Sequence, residues 1–166
     1  MKKILTVLAA LCFTANAFSQ TNSKIKNSNK MKNKIEHINP NGLSKNPSFS
    51  QIVTTQGNGK TIYIGGQDAV NADGEIVGEG DLAAQTEQVM KNLQTALSAC
   101  GATFENLVKL SIYMVHGQNI NSGFQVSQKY FAKLKNPPAI SVLVVAGLAN
   151  SDFLVEIDAT AFIPEK

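Results

Sequence analysis

The group best placed for chemistry is a carboxyl in the middle of an apolar run. Residues 153–163 alternate, with Phe153, Val155, Ile157, Ala159, Ala161 and Ile163 projecting one way and Leu154, Glu156, Asp158, Thr160 and Phe162 the other. A carboxylate on such a strand needs a hydrogen-bond partner, a cleft or water. In a cleft it can act as a general base. Upstream, Gly65-Gly66-Gln67 would let a ligand approach the backbone closely, because neither glycine carries a Cβ. A bulge or tight turn explains the same pair equally well, and the lysine and helix start of a phosphate loop are missing. His37 lies near the start of the folded part and reads as a surface group, while His116 follows a strand and could border a cleft. Cys100 ends an apolar helical stripe, where packing is favoured over nucleophilic chemistry. There is no metal-ligand spacing, no Ser/His/Asp pattern and no nucleotide loop, so neither metal nor cofactor is expected.

The elements that must hold these groups can be read in order. Gln51–Gln56 and Lys60–Ile64 are strands about Asn58-Gly59, a two-residue hairpin signal. Asp81 caps a helix from Leu82 to about Ala99, with Leu82, Val89, Leu93, Ala96, Leu97 and Cys100 along one face and Gly101 at its end. Leu107–Val115 is a strand. A second helix from about Asn121 to Leu134 is expected to bury Phe124, Ser127, Phe131 and Leu134, and Pro137-Pro138 ends it. The aliphatic run Ile140–Ala146 and the alternating run after it flank the polar break Ala149–Asp152, which predicts an antiparallel hairpin. The sum is an α+β domain, a mixed β-sheet with two helices on one face. The other face, carrying Leu154 and Phe162 beside Glu156, would be left uncovered and invites a partner.

Of the 166 residues, the first 19 read as a signal peptide: Lys2-Lys3, the apolar run Ile4–Phe13, then small residues that place cleavage near Ala17 or Ser19. The apolar run is too short to span a bilayer, so a periplasmic or secreted protein without a stable membrane anchor is expected. Residues 20–35 form a Lys/Asn/Ser-rich linker and residues 36–166 the folded domain. All 15 basic residues are lysine; there is no arginine. All 12 acids lie beyond residue 35 and outnumber the lysines there, which speaks against nucleic acid as a partner.

The final segments carry a resemblance. Pro138-Ala139-Ile140-Ser141 and Val155-Glu156-Ile157-Asp158-Ala159 resemble the closing strands of the RidA/YjgF family of reactive-intermediate imine and enamine deaminases. Gly65-Gly66-Gln67 is similar to that family's Ser-Gly-Gln segment, and Ser48-Phe49-Ser50-Gln51 to its Pro-Tyr-x-Gln. The resemblance implies a chorismate-mutase-like fold, a homotrimer, and a small-molecule ligand in clefts between subunits. It implies that Glu156 is the catalytic acid–base residue and that Phe49, Gly65, Gly66, Gln67, Phe124, Ile140 and Ser141 line the substrate site. Two departures matter. The family's substrate-binding arginine falls at Ile140, and its helical asparagine at Phe124. A 2-imino acid would find no guanidinium for its carboxylate, and lysine cannot supply that planar fork. Three readings follow: an exported enzyme hydrolysing imine- or enamine-type molecules, with 2-imino acids poorly served; a non-catalytic small-molecule-binding or structural trimer; and a ribonuclease, which the acidic domain disfavours.

Overall fold

Four apolar residues spaced along one helical face, Val89, Met90, Leu93 and Leu97, are almost completely buried and form the centre of the core. They belong to α1 (Leu82–Ala99), whose start is fixed by Asp81 accepting from the backbone N–H groups of Ala83 and Ala84. Its end is a Schellman arrangement: Gly101, at φ 75°, donates to the Ser98 carbonyl, and Ala102 donates to that of Leu97. These features come from a computed structural model that describes residues 32–166. The signal peptide and most of the linker expected from the sequence lie outside the described residues.

The chain is α+β. Besides α1 it has β1 (Lys34–Ile38), β2 (Ile52–Gln56), β3 (Gly59–Gln67), β4 (Leu107–Val115), α2 (Ile120–Phe131), β5 (Ala139–Val145) and β6 (Val155–Pro164). A mixed sheet of order β3-β6-β4-β5 carries the core, with α1 against β3 and β6 and α2 against α1. β6 runs antiparallel to both neighbours, and β4–α2–β5 is a parallel crossover. β1 takes in Lys34 and Ile35, the last residues of the lysine-rich tract.

Both expected hairpins are absent. β5 and β6 are not neighbours, because the crossover pairs β5 with β4 and β6 enters between β3 and β4. The aliphatic run of β5 suits either neighbour, so local pattern could not choose. At Gly57-Asn58 the chain passes between strands with different partners, β2 pairing with β1 and β3 with β6. Asn33 holds this junction, its Oδ1 accepting from the Asn58 N–H at 2.7 Å and its Nδ2 donating to the Glu165 carbonyl at 3.0 Å. At its other end the β1–β2 ribbon is pinned to the start of β5. The Ser50 N–H donates to the Pro138 carbonyl and the Ser50 hydroxyl to that of Pro137, which the His37 Nδ1 also meets at 3.0 Å. His37 is therefore a half-buried strap residue, not a free surface group.

α2 is shorter than expected and rotated. Gly123, Val126 and Phe131 are buried, while Phe124 is 47% exposed. A Cβ on Gly123 would lie 3.0 Å from Thr86 Oγ1, so the two helices touch where α2 has no side chain. Farther along, the Tyr130 hydroxyl donates to Glu87 Oε1 at 2.6 Å, and Lys129 Nζ sits 3.5 Å from Glu87 Oε2. The Tyr130 bond, aided by the Lys129 charge, holds the Glu87 carboxyl below its usual range against an opposing effect of burial. Burial, and then Glu87, push the Tyr130 phenol up to about 12.

The signs of these shifts define a pH window. A depressed carboxyl contributes stability that is present above its unfolded value, about 4.3, and lost as pH falls through the folded one. A raised phenol contributes stability below about 10 and loses it as pH rises towards the folded value. Tyr130→Phe is expected to cost about 1 kcal/mol near neutrality. The difference in urea midpoint between the variant and the parent chain should shrink at both ends of the pH range, a pattern that parallel melts at pH 3, 7 and 11 would check.

Candidate active site

Glu156 sits near the start of β6, the strand with a neighbour on each side. Its partners in register are Tyr113 on β4 and, one residue on, Gln67 of β3 opposite Ile157. The alternation expected from the sequence holds along the strand: Val155, Ile157, Ala159 and Ala161 are buried beneath the helices, and Glu156, Asp158 and Thr160 occupy the open face, half-buried. Leu154 departs from that expectation by packing against the core, and Phe162 is buried with its ring over Gly59. The open face is thus more polar than expected. Beside the β6 acids it presents Lys109, Ser111 and Tyr113 of β4 and Ser141 of β5, all half-buried.

The glycine pair is a β-bulge. Ile64 pairs with Ala159 and Gln67 with Ile157, so Gly65 and Gly66 together face the single residue Asp158. Gln67 tightens the bulge by donating from Nε2 to the carbonyls of Gly65 and Gly66. The Glu156 carboxyl lies directly against Gly66: a Cβ there would stand 1.8 Å from Oε1, whereas one on Gly65 would meet nothing within 4 Å. Gly66 and Glu156 are therefore in direct contact with Gln67 shaping the bulge beside them, and the glycine is required by a side chain of the chain itself. Tyr113 does not bond its register partner; its hydroxyl donates to Asp158 at 3.2 Å.

The other expected site residues lie elsewhere in the same chain. Ile140 pairs with Leu110, which pairs with Ala159, so it is two strands and three residues from Glu156, roughly 10 Å in each direction. It also points to the helix side and packs partly against the core, so within one chain it does not face Glu156. Ser141, next to it, turns to the open face and accepts from Lys109 Nζ at 2.5 Å. Phe49 precedes Ser50 at the β5 entry, at the same end of the sheet as Ile140. Phe124 stands at a small apolar cleft of about 70 Å³, lined with Ile112, Met114, Ile120, Val142 and Ile157, on the face opposite the Glu156 carboxyl. His116 is exposed after β4, and Cys100 is a half-buried free thiol whose carbonyl accepts from Lys60.

Two residues escaped sequence reasoning. Gln85, fully buried, donates from Nε2 to the Asp152 carbonyl at 2.7 Å and accepts at Oε1 from the Leu154 N–H at 2.8 Å, which fixes the chain as it enters β6. A glutamine at a core-facing position of an otherwise apolar helical stripe was the available signal. Asp68 is the second. It follows the glycine bulge directly, and its carboxyl is raised above the ordinary range by burial and by the charge of Glu156. Among the described residues no three of His, Cys, Asp and Glu come together to hold a metal ion, and no helix is long and apolar enough to cross a membrane.

Comparison with known proteins fits this arrangement. Residues 41–163 match the protein family described as Endoribonuclease L-PSP. The chain belongs to the RidA/YjgF family. It is 32% identical over 115 residues to the RutC family protein PH0854 of Pyrococcus horikoshii, covering 69% of this chain and 86% of that protein. It is 32% identical over 114 residues to human 2-iminobutanoate/2-iminopropanoate deaminase, covering 68% and 78% respectively. Among solved structures, the Rid family protein YyfB of Yersinia pestis superposes with a TM-score of 0.70 at 36% identity, covering 78% of this chain and 98% of that one. The family's names thus point to two activities, imine deamination and RNA cleavage.

The contact between Glu156 and Gly66 can be tested directly. Gly66→Ala is expected to leave the fold intact, because the atom in the way is the end of a side chain that can swing aside, and to displace the carboxyl from the bulge. Gly65→Ala should change neither. Crystal structures and melting curves of the two variants would check the contrast; an undisturbed Glu156 in Gly66→Ala would contradict it.

Proposed function

We propose that this chain hydrolyses imine- or enamine-type small molecules, with Glu156 as the base that activates water. The observation that carries the reading is the Glu156 carboxyl held against Gly66 on the open face of the sheet. The relationship to the human deaminase supports the reaction class. Among the described residues no cation bonds this central-strand carboxylate, which is placed to take a proton from water. Carboxylate-free substrates suit it better than 2-imino acids. The arginine position is Ile140 on the helix side, and Lys109, the cation of the open face, is engaged with Ser141. A second anion beside Glu156 would therefore go uncompensated.

We further infer a homotrimer in which a neighbouring subunit completes the cleft. The supporting observation is the edge strand β5, where Val142, Leu143 and Val144 are 54%, 46% and 54% exposed. Such an aliphatic edge beside the apolar cleft of Phe124 would bring one chain's Phe49, Phe124 and Ile140 towards another chain's Glu156. The lysine start and the apolar run of residues 1–19 support export with removal of that segment.

Three measurements check this. Light scattering at micromolar concentration should give three times the chain mass. An uncharged aldimine of benzaldehyde and methylamine, followed by ultraviolet absorbance, should be hydrolysed faster than a 2-imino acid. Glu156→Gln should lower that rate about 100-fold or more while the assembly persists. A folded Glu156→Gln variant as fast as the parent chain would instead favour the non-catalytic binding protein.

A further inference from the structure

Asp68 is the one carboxyl beside Glu156 that the reading above leaves without a role. Asp68 directly follows β3, two residues beyond Gly66, and its carboxyl feels the charge of Glu156, whose own carboxyl lies against Gly66. The backbone there is pinned. Asn92 of α1 donates from Nδ2 to the carbonyls of Asp68 at 2.9 Å and Val70 at 2.8 Å, and Asn92 Oδ1 is itself held by Gln88. Among the described residues, Asp68 Oδ1 is the single buried side-chain nitrogen or oxygen with no hydrogen-bond partner. A buried, unpaired anion costs far more than a buried, unpaired neutral group. The cheaper state leaves Oδ1 as the carbonyl oxygen of a carboxylic acid and puts the proton on the less sealed Oδ2.

The groups around it point the same way. On β3 its neighbour Gln67 is uncharged and folded onto its own backbone. On β6 the nearby acids are Glu156, which acts on Asp68, and Asp158, which accepts from Tyr113 of β4. α1 offers the Asn92 amide, already used, and in the following turn Glu75 accepts from Asn71. Among the described residues no cation bonds the carboxyl, while burial and Glu156 both raise its pKa.

We propose that Asp68 is the general acid of this site, the protonated partner of the Glu156 base. The inference rests on the hydrolase reading. In the first step the oxygen of water bonds to the imine carbon as the Glu156 carboxylate takes a proton from it. The π pair of C=N moves to nitrogen, which takes the Asp68 proton. The product is a neutral carbinolamine, with Glu156 now the acid and Asp68 the carboxylate. In the second step Glu156 returns its proton to nitrogen, the C–N bond breaks with its pair leaving on the amine, C=O forms, and the hydroxyl proton passes to Asp68. The products are a carbonyl compound and an amine, and both carboxyls regain their starting states. A buried acid beside a second carboxylate is one means by which a site supplies both acid and base.

The test is the pH–rate profile of aldimine hydrolysis for the parent chain, Asp68→Asn, Asp68→Glu and Glu156→Gln. The base must be ionised and the acid protonated, so the parent rate should rise and then fall with pH. Asp68→Asn should lower the maximum about 100-fold and remove the falling limb, Asp68→Glu should restore much of both, and Glu156→Gln should remove the rising limb. Carbon-13 NMR of the Asp68 carboxyl should show it titrating above ordinary aspartates and moving down in Glu156→Gln. If Glu156→Gln is inactive but Asp68→Asn keeps the parent rate and profile, the acid role is wrong and the hydrolase reading stands. If the parent chain does not hydrolyse the aldimine, both are wrong. If Asp68 titrates like an exposed aspartate, the acid role is overturned whatever the rates.

Discussion

A charged side chain on an inner strand is tolerated only if the next strand makes room for it, and that constraint governs this molecule. β6 has neighbours on both sides, so the Glu156 carboxyl has a restricted set of directions. The bulge at Gly65-Gly66 supplies one of them, because it removes two side chains and offsets the register where the carboxyl lies. The bulge holds its shape through Gln67, and β6 enters at the right height because Gln85, on the buried face of α1, grips the backbone on both sides of Phe153. The helical core thus fixes the position of a group that belongs to the opposite face of the sheet.

Much of this was legible in the sequence. The bounds of α1 and β4, the cap at Asp81, the C-terminal glycine at 101 and the alternation of β6 are local properties, fixed by neighbours within a few residues. What failed was long-range pairing. An aliphatic run such as Ile140–Ala146 does not encode which strand lies beside it, and the crossover through α2 settled the matter in favour of β4. The Asn58-Gly59 signal failed for a related reason: Asn33 and Glu165, distant in sequence, bind the backbone at Asn58 and turn an apparent hairpin into a junction. Phe124 was placed on the wrong side of α2 because Gly123, not a bulky residue, marks the contact with α1.

The candidate site was only half legible. Glu156 and Gly66, both singled out from the sequence, meet, and Asp68, which no pattern singled out, stands beside them. Ile140, Phe124 and Phe49, which the resemblance also implied, lie on other surfaces of the chain. A linear motif does not state where in the fold each of its residues lies. With Ile140 uncharged, Lys109 engaged with Ser141 and Asp68 feeling the charge of Glu156, this part of the chain carries negative groups of its own and is poorly suited to a negative ligand.

The edge strand β5 has a consequence for the life of the chain before assembly. Proteins commonly guard a free strand edge with lysine, proline or a bulge, and the run from Val142 to Val145 has none of these. An isolated subunit would offer an aliphatic, uncharged template to any extended chain, including another copy of the same run. In the trimer proposed above, aggregation would therefore compete with correct association at this strand. The concentration of newly folded chains, and the time each spends before association, would then determine yield as much as the stability of the fold.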